Sequence, residues 1–290
     1  MHSYHTVDPA LTSTAAFHHY LLGAIAPRPI AFASTVDAAG QVNLSPFSFF
    51  NAFGANPPTL IFSPARRVRD NTTKHTHQNV LEVPEVVIHI VDYKMVEQMS
   101  LSSCEYPKEV NEFEKAGFTP IPSTKVKPPR VAEAPAAFEC VVKQVIETGK
   151  EGGAGNLILC EVVLAHFQHT ILDANQKIDT TLLDAVGRMG GDWYVRAHGN
   201  ALFEVEKPNT RLGIGFDHLP HEVRNSAILT GNHLGKLANI EALPDAPKVT
   251  AFKESMGKQL IVHSPASRHE IAAGLLNEGK VEEAWLWLLA

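Results

Sequence analysis

Three cysteines in 290 residues, Cys104, Cys140 and Cys160, are too few and too far apart for a disulfide framework, and no C-x-x-C pair offers a thiolate zinc site. Excess charge of one sign is also missing. With 25 basic against 31 acidic residues the chain lacks the basic surface that phosphate backbones select, so nucleic acid is not expected as the main partner. No apolar run is long enough to span a bilayer, and the opening MHSYHTVDPALTSTAAFHHYLLGAIAP has no basic start; neither a membrane anchor nor a secretory signal is expected, and the expected location is the cytoplasm. No G-x-G-x-x-G follows a strand, and neither a P-loop nor a G-x-S-x-G elbow is present. A resident dinucleotide fold and a hydrolase nucleophile elbow are therefore not expected, and a nicotinamide, if used, is expected as a visiting substrate.

What is present is a hydrophobic content of 44%, enough for one large core or two smaller ones. The most informative stretch is PRPIAFASTVDAAGQVNLSPFSFFNAF, residues 27–53. Two strand-like runs, 29–36 and 41–49, flank the turn-forming Asp37, Ala38, Ala39 and Gly40. In the first run Ile30, Phe32 and Val36 share one face, and Ala31, Ala33 and Thr35 share the other, so one face is bulky and one nearly bare. In the second, Asn43 and Ser45 alternate and Pro46 interrupts the ladder. The pattern by itself fits an ordinary bulged hairpin first; the alternative is a shelf for a flat ligand met by amides near Leu44, Ser45 and Phe47.

Downstream, a short helix is expected over 8–22 before the hairpin, and a strand over 59–63 after it. The strand leads into Arg66, Arg67 and Arg69, then a helix over 72–83 capped by Asp70 or Asn71. Strand end, basic loop and helix start suit a phosphate, although a solvated basic loop has the same composition. Further strands are expected over 85–92, 136–148 and 157–172, the last two joined by a flexible EGGAG, giving about six in all. Cys140 and Cys160 fall inside those runs and act as small hydrophobes. His75 and His77 point apart on a helix, as do Glu161 and His166 on a strand, so neither pair makes a metal or acid–base site.

PRPI, STVD and the N-L-S-P-F-S-F-F run of residues 43–50 resemble the opening of the flavin reductase-like family, whose members are FMN-binding split β-barrels. Lys74, Thr76 and Asn79 match that family's K-D-T-x-x-N segment, with His75 in place of its aspartate. Residues 188–194, RMGGDWY, resemble the R-x-G-G-x-x-Y that closes its barrel, and the region beyond resembles the tail of the DIM6/NTAB-like flavoprotein group. The resemblance implies a mainly β fold with helices: a split-barrel domain over 1–198 and a mostly helical extension over 199–290. It implies FMN as cofactor, with Thr35, Asn43, Leu44, Ser45, Ser48 and Phe49 near the ring and ribityl chain. Ser63, Arg66, Lys74 and Thr76 then lie toward the phosphate. A homodimer is implied, with NAD(P)H or a protein as electron donor. Hydride passes to the flavin, so no protein acid or base is needed and none is named. The competing expectations are a flavin-binding electron carrier or sensor that does not turn over free NAD(P)H, and a barrel that has lost its flavin.

Overall fold

The computed structural model describes residues 3–208, 212–257, 260 and 262–290. The chain divides into two units, Met1–Phe203 and Glu204–Ala290. The first is built on strands β1 (Ala31–Val36), β2 (Val42–Phe47), β3 (Phe50–Ala55), β4 (Pro58–Phe62) and β5 (Glu85–Ile90). A small hairpin, β6 (Pro120–Ile121) and β7 (Arg130–Val131), precedes the long strands β8 (Ala136–Glu147) and β9 (Asn156–Phe167). Seven of these form one antiparallel sheet in the order β2-β1-β5-β8-β9-β4-β3.

That order dictates the shape. Strands β2 and β3 lie at opposite edges, yet only Ser48 and Phe49 separate them in the chain. Three Cα steps span at most about 11 Å, so the sheet must curl until its edges approach, which is how a barrel hides them. The fold is mainly β with helices, as the sequence implies. Strand β3 was not among the six expected runs: FNAFGA has an intermediate Phe50 followed by five exposed residues, so it carries no alternation to read.

Strand β1 is buried throughout. Ile30 and Phe32 pack with Met95, Met99, Phe113 and Phe118, while Ala31 and Ala33 pack with Phe47, Phe62, Ile88 and Ile158. The bare face is therefore not space for a flat ligand. Its alanines make room for the phenylalanines of the barrel interior, each worth roughly 1.5–3 kcal/mol when fully buried. Cys140 and Cys160 belong to this interior, and burial pushes the Cys140 thiol up to about 12. Pro46 does not interrupt pairing either: Pro46 lies opposite Phe32 and Phe47 opposite Ala31. An edge strand tolerates proline because its outer N–H groups have no ladder partner to lose.

Two helices start later than expected. Helix α1 (Thr14–Ala24) begins at Ser13, whose hydroxyl accepts from Ala16 N, and Asp8 instead caps a separate turn, Pro9–Leu11. Helix α2 (His75–Glu82) has Lys74 at its N-cap. Asp70 closes a turn on Thr72, accepting from its amide and hydroxyl, and Asn71 turns the chain at φ 58°. Two shorter helices, α3 (Val96–Leu101) and α4 (Glu112–Ala116), lie in the crossing between β5 and β6.

The second unit holds helices Gly231–Ala238, Ala246–Met256, Pro265–Asn277 and Val281–Leu289. The polar, glycine-marked stretch LTGNHLGKLANIEALP packs into the core of this unit. Leu234, Leu237 and Ala238 join Leu276 and Trp285 in the core, while Thr230 and His233 form a reciprocal cap. Among the described residues no helix is long and apolar enough to cross a membrane.

Candidate functional site

The site is assembled where α2 lies against the β1–β2 hairpin. Thr76 and Asn79, three residues apart, share a helix face. Asn43 Nδ2 donates to Thr76 Oγ1 at 2.8 Å and Asn79 Nδ2 to Thr35 Oγ1 at 3.2 Å, while Thr35 and Asn43 are themselves cross-strand partners. All four side chains are buried. This polar zip fixes the start of α2, so Lys74 and His75 are presented rather than buried.

Two adjoining depressions meet there, and both are walled by Arg67, Lys74 and Glu105. The first, bounded also by Asn43, Ser45, His75 and Glu112, holds only about 20 Å³, room for about one water. The second, bounded also by His18, Arg66 and Gly153, is open and holds about 360 Å³. Lys74 is half-buried; desolvation, then the neighbouring Arg67, lowers its pKa. Its ammonium has no hydrogen bond among the described residues, only Glu105 at 3.9 Å. Burial, then Arg67, also lowers the pKa of His75. Glu112 is buried, which raises its pKa, and its carboxylate accepts from Leu44 N at 3.1 Å.

The ten residues expected from the sequence do not all converge. Asn43, Ser45, Lys74 and Thr76 line the first depression, and Arg66 and Lys74 the second. Thr35 and Leu44 are fully buried, and the outward amide of Leu44, foreseen as a ligand donor, is given to Glu112. Ser48 accepts from Arg28 Nε at 3.3 Å. Phe49 is exposed and meets the His18 ring edge-on, with centroids 6.1 Å apart. Ser63 is buried, and its hydroxyl has no hydrogen-bond partner among the described residues. The guanidinium of Arg66 is committed to Asn71, at 2.7 Å from Nε to the side-chain oxygen and 2.9 Å from Nη2 to the carbonyl. Arg66 borders only the second depression, whereas its neighbour Arg67 borders both.

Sequence reasoning missed Arg67, Glu105 and Glu112. The run of three arginines was a signal for the first; the two carboxylates arrive from a distant crossing and left none. Arg28 is a staple: it donates to Leu22 O at 2.7 Å, to Ile25 O at 2.5 Å and to Met189 O at 3.0 Å, neutralising the carbonyl end of α1. The EGGAG loop is likewise a clamp. Arg66 N donates to Ala154 O at 2.8 Å and Gly153 N to Arg66 O at 3.0 Å. A Cβ on Gly152 would lie 2.9 Å from Val68 O, so only glycine lets this loop press on the arginine segment. At the other end, a Cβ on Gly190 would lie 3.0 Å from Gly23 Cα, so that glycine serves α1.

A family model described as flavin reductase like domain matches residues 23–190, more than half of the chain. The chain belongs to the flavin reductase-like family. It is 39% identical over 194 residues to an uncharacterized protein of Aquifex aeolicus, covering 67% of this chain and 96% of that one. Among solved structures it is similar to nitrilotriacetate monooxygenase component B of Bacillus cereus, 30% identical with a TM-score of 0.66 over 71% of this chain and 100% of the other. It is also similar to 2-nitrobenzoate 2-nitroreductase of Pseudomonas fluorescens, 25% identical with a TM-score of 0.64 over 73% and 100%. The fold is the family's split barrel, and the class that family and relatives support is a flavin-dependent oxidoreductase.

The residues present fit a phosphorylated flavin. Among the described residues, a half-buried ammonium without a hydrogen bond stands at a helix start that no side chain caps, beside a second cation. That donor set suits a phosphate.

Proposed function

We propose that this protein binds FMN and passes a hydride or electrons from NAD(P)H, or from another donor, to an acceptor. The observation that carries the reading is Lys74: an under-bonded cation at the start of α2, next to Arg67 and above an open depression. In this reading Lys74, Arg67 and the first amides of α2 hold the phosphate. Thr76 and Asn43 act one step back, since their mutual bond keeps the helix start in front of β2. Glu112 fixes the β2 edge by occupying the Leu44 amide. The isoalloxazine, when bound, supplies the hydride chemistry, and the chain's task is placement.

The expected result is a protein purified yellow, or made yellow by adding FMN, whose flavin absorbance bleaches rapidly when NADH or NADPH is added without oxygen. Bleaching only with a protein donor would assign a carrier instead. A colourless protein that cannot be reconstituted with FMN removes the proposal.

A homodimer is part of the proposal. Helix α1 carries Phe17, Tyr20, Leu21 and Leu22 yet buries none of its residues, and Phe53 of β3 is 63% exposed. Through Arg28 the end of α1 is tied to Ser48, beside β3. An apolar face of this kind on one unit is a surface that a second copy can cover. Sedimentation at micromolar concentration is expected to give about twice the 31.6 kDa chain mass, and the monomer mass would remove this part.

A further inference from the structure

Glu105 has no role in the reading above, yet it sits at the centre of the cations. Its Oε1 accepts from Arg67 Nε at 2.9 Å and lies 3.9 Å from Lys74 Nζ, while Oε2 accepts from Arg69 Nη2. It walls both depressions. The other charged neighbours are engaged elsewhere: Asp70 with Arg69 and Thr72, Arg66 with Asn71, and Lys108 with Asp37 at 3.3 Å. Three cations therefore converge on Glu105, and of them, among the described residues, only Arg69 is shared with a second carboxylate, Asp70.

We propose that Glu105 is an internal anion that holds this cation cluster in competition with the flavin phosphate, and so sets how tightly the phosphate binds. The inference rests on the proposed FMN function. A carboxylate brings one negative charge, and a phosphate monoester about two with three acceptor oxygens, so the ligand can displace the side chain from Arg67 and Lys74. Displacement also frees the segment that carries Glu105. Ser102–Tyr106 follows α3 and opens the crossing toward β6, and Ser102, Ser103, Cys104 and Tyr106 all border the first depression. Phosphate occupancy and the position of that segment are thus coupled through one side chain.

An ordinary surface ion pair is the alternative, and the two differ in sign. Arg69 is 67% exposed and its share of the pairing is worth little, whereas Arg67 is only 17% exposed and is the partner a ligand would contest. If Glu105 is a bystander, removing it costs a little stability and leaves FMN affinity unchanged. If it is a competitor, removing it tightens FMN.

The test titrates flavin-free wild type, Glu105→Gln and Glu105→Ala with FMN and with riboflavin, which lacks the phosphate. Amide hydrogen exchange over 102–106 is followed in wild type. Both variants are expected to bind FMN roughly five- to tenfold more tightly, with riboflavin affinity unchanged, and FMN but not riboflavin is expected to speed exchange in the segment. Unchanged or weaker FMN binding by both variants, in a protein whose wild type prefers FMN to riboflavin, overturns the role of Glu105 alone. A wild type that binds FMN no better than riboflavin overturns the phosphate site and this inference together.

Discussion

Alanine at both Lys74 and Thr76 is expected to weaken FMN binding by about a hundredfold or more, while riboflavin binding falls far less. Lys74 supplies most of the direct effect. Its ammonium is already partly desolvated, which lowers its pKa, and it has no hydrogen bond to lose among the described residues, so a phosphate adds one without breaking another. Hydrogen bonds to charged groups contribute about 1.5–3 kcal/mol, or roughly 10- to 150-fold in affinity. Thr76 acts through the helix. Without its hydroxyl the Asn43 amide loses its partner in a buried site, at about 1–3 kcal/mol, and α2 is no longer pinned to β2. Because both changes bear on the same helix start, their effects are not expected to add simply. Fluorescence titration gives the affinities, with circular dichroism to confirm folding. A double variant that binds FMN as wild type does would show that the phosphate lies elsewhere.

A second large effect is a loss of stability in mild acid, set by His89. This side chain on β5 is fully buried and bonded at both nitrogens: Nδ1–H donates to Phe32 O at 2.8 Å, and Nε2 accepts from Val131 N at 2.9 Å. The second bond requires the neutral ring, and desolvation lowers its pKa from 6.5 to about 4. The folded state therefore binds fewer protons than the unfolded state between those values. Its stability is full above about 6.5 and falls as pH drops toward about 4, by about 3 kcal/mol for a single proton across that range. Urea unfolding at pH 7 and pH 4.5 measures the fall. His89→Gln, which cannot titrate, is expected to be weaker at pH 7 but to show a shallower slope. An equal slope in both proteins would place the sensitivity in another group.

The His89 bond to Val131 N also shows why the crossing from 102 to 135 carries little local signal of its order. Val131 N is held by His89, Thr124 N and Lys125 N by the buried Glu139 carboxylate at 2.8 and 2.5 Å, and Lys127 N by Glu85 at 2.7 Å. These side chains project from β5 and β8, so what orders the segment is not in the segment. His166, set apart from Glu161 by strand alternation, likewise finds Glu139 at 2.7 Å on the neighbouring strand. The strands themselves were legible, because alternation is a local property. Six of the seven sheet strands follow from alternation or from short apolar runs, and only the exposed β3 escapes. Helix starts at 70–75 were not, since a carboxylate can cap a helix or close a turn and Asp70 does the second.

In the candidate site the division is similar. The chain's own order of residues determined the hairpin, the arginine segment and the spacing of Lys74, Thr76 and Asn79 on one face, because each depends on neighbours within a few positions. Tertiary structure alone decided that the alanine face of β1 meets phenylalanines, that Arg67 borders both depressions while Arg66 borders only the second and is tied to Asn71, and that Glu105 and Glu112 stand beside them. Those outcomes depend on which distant strand or crossing reaches a given atom first. Competition for a buried hydrogen bond or a shared cation is settled in space, where sequence separation carries no weight.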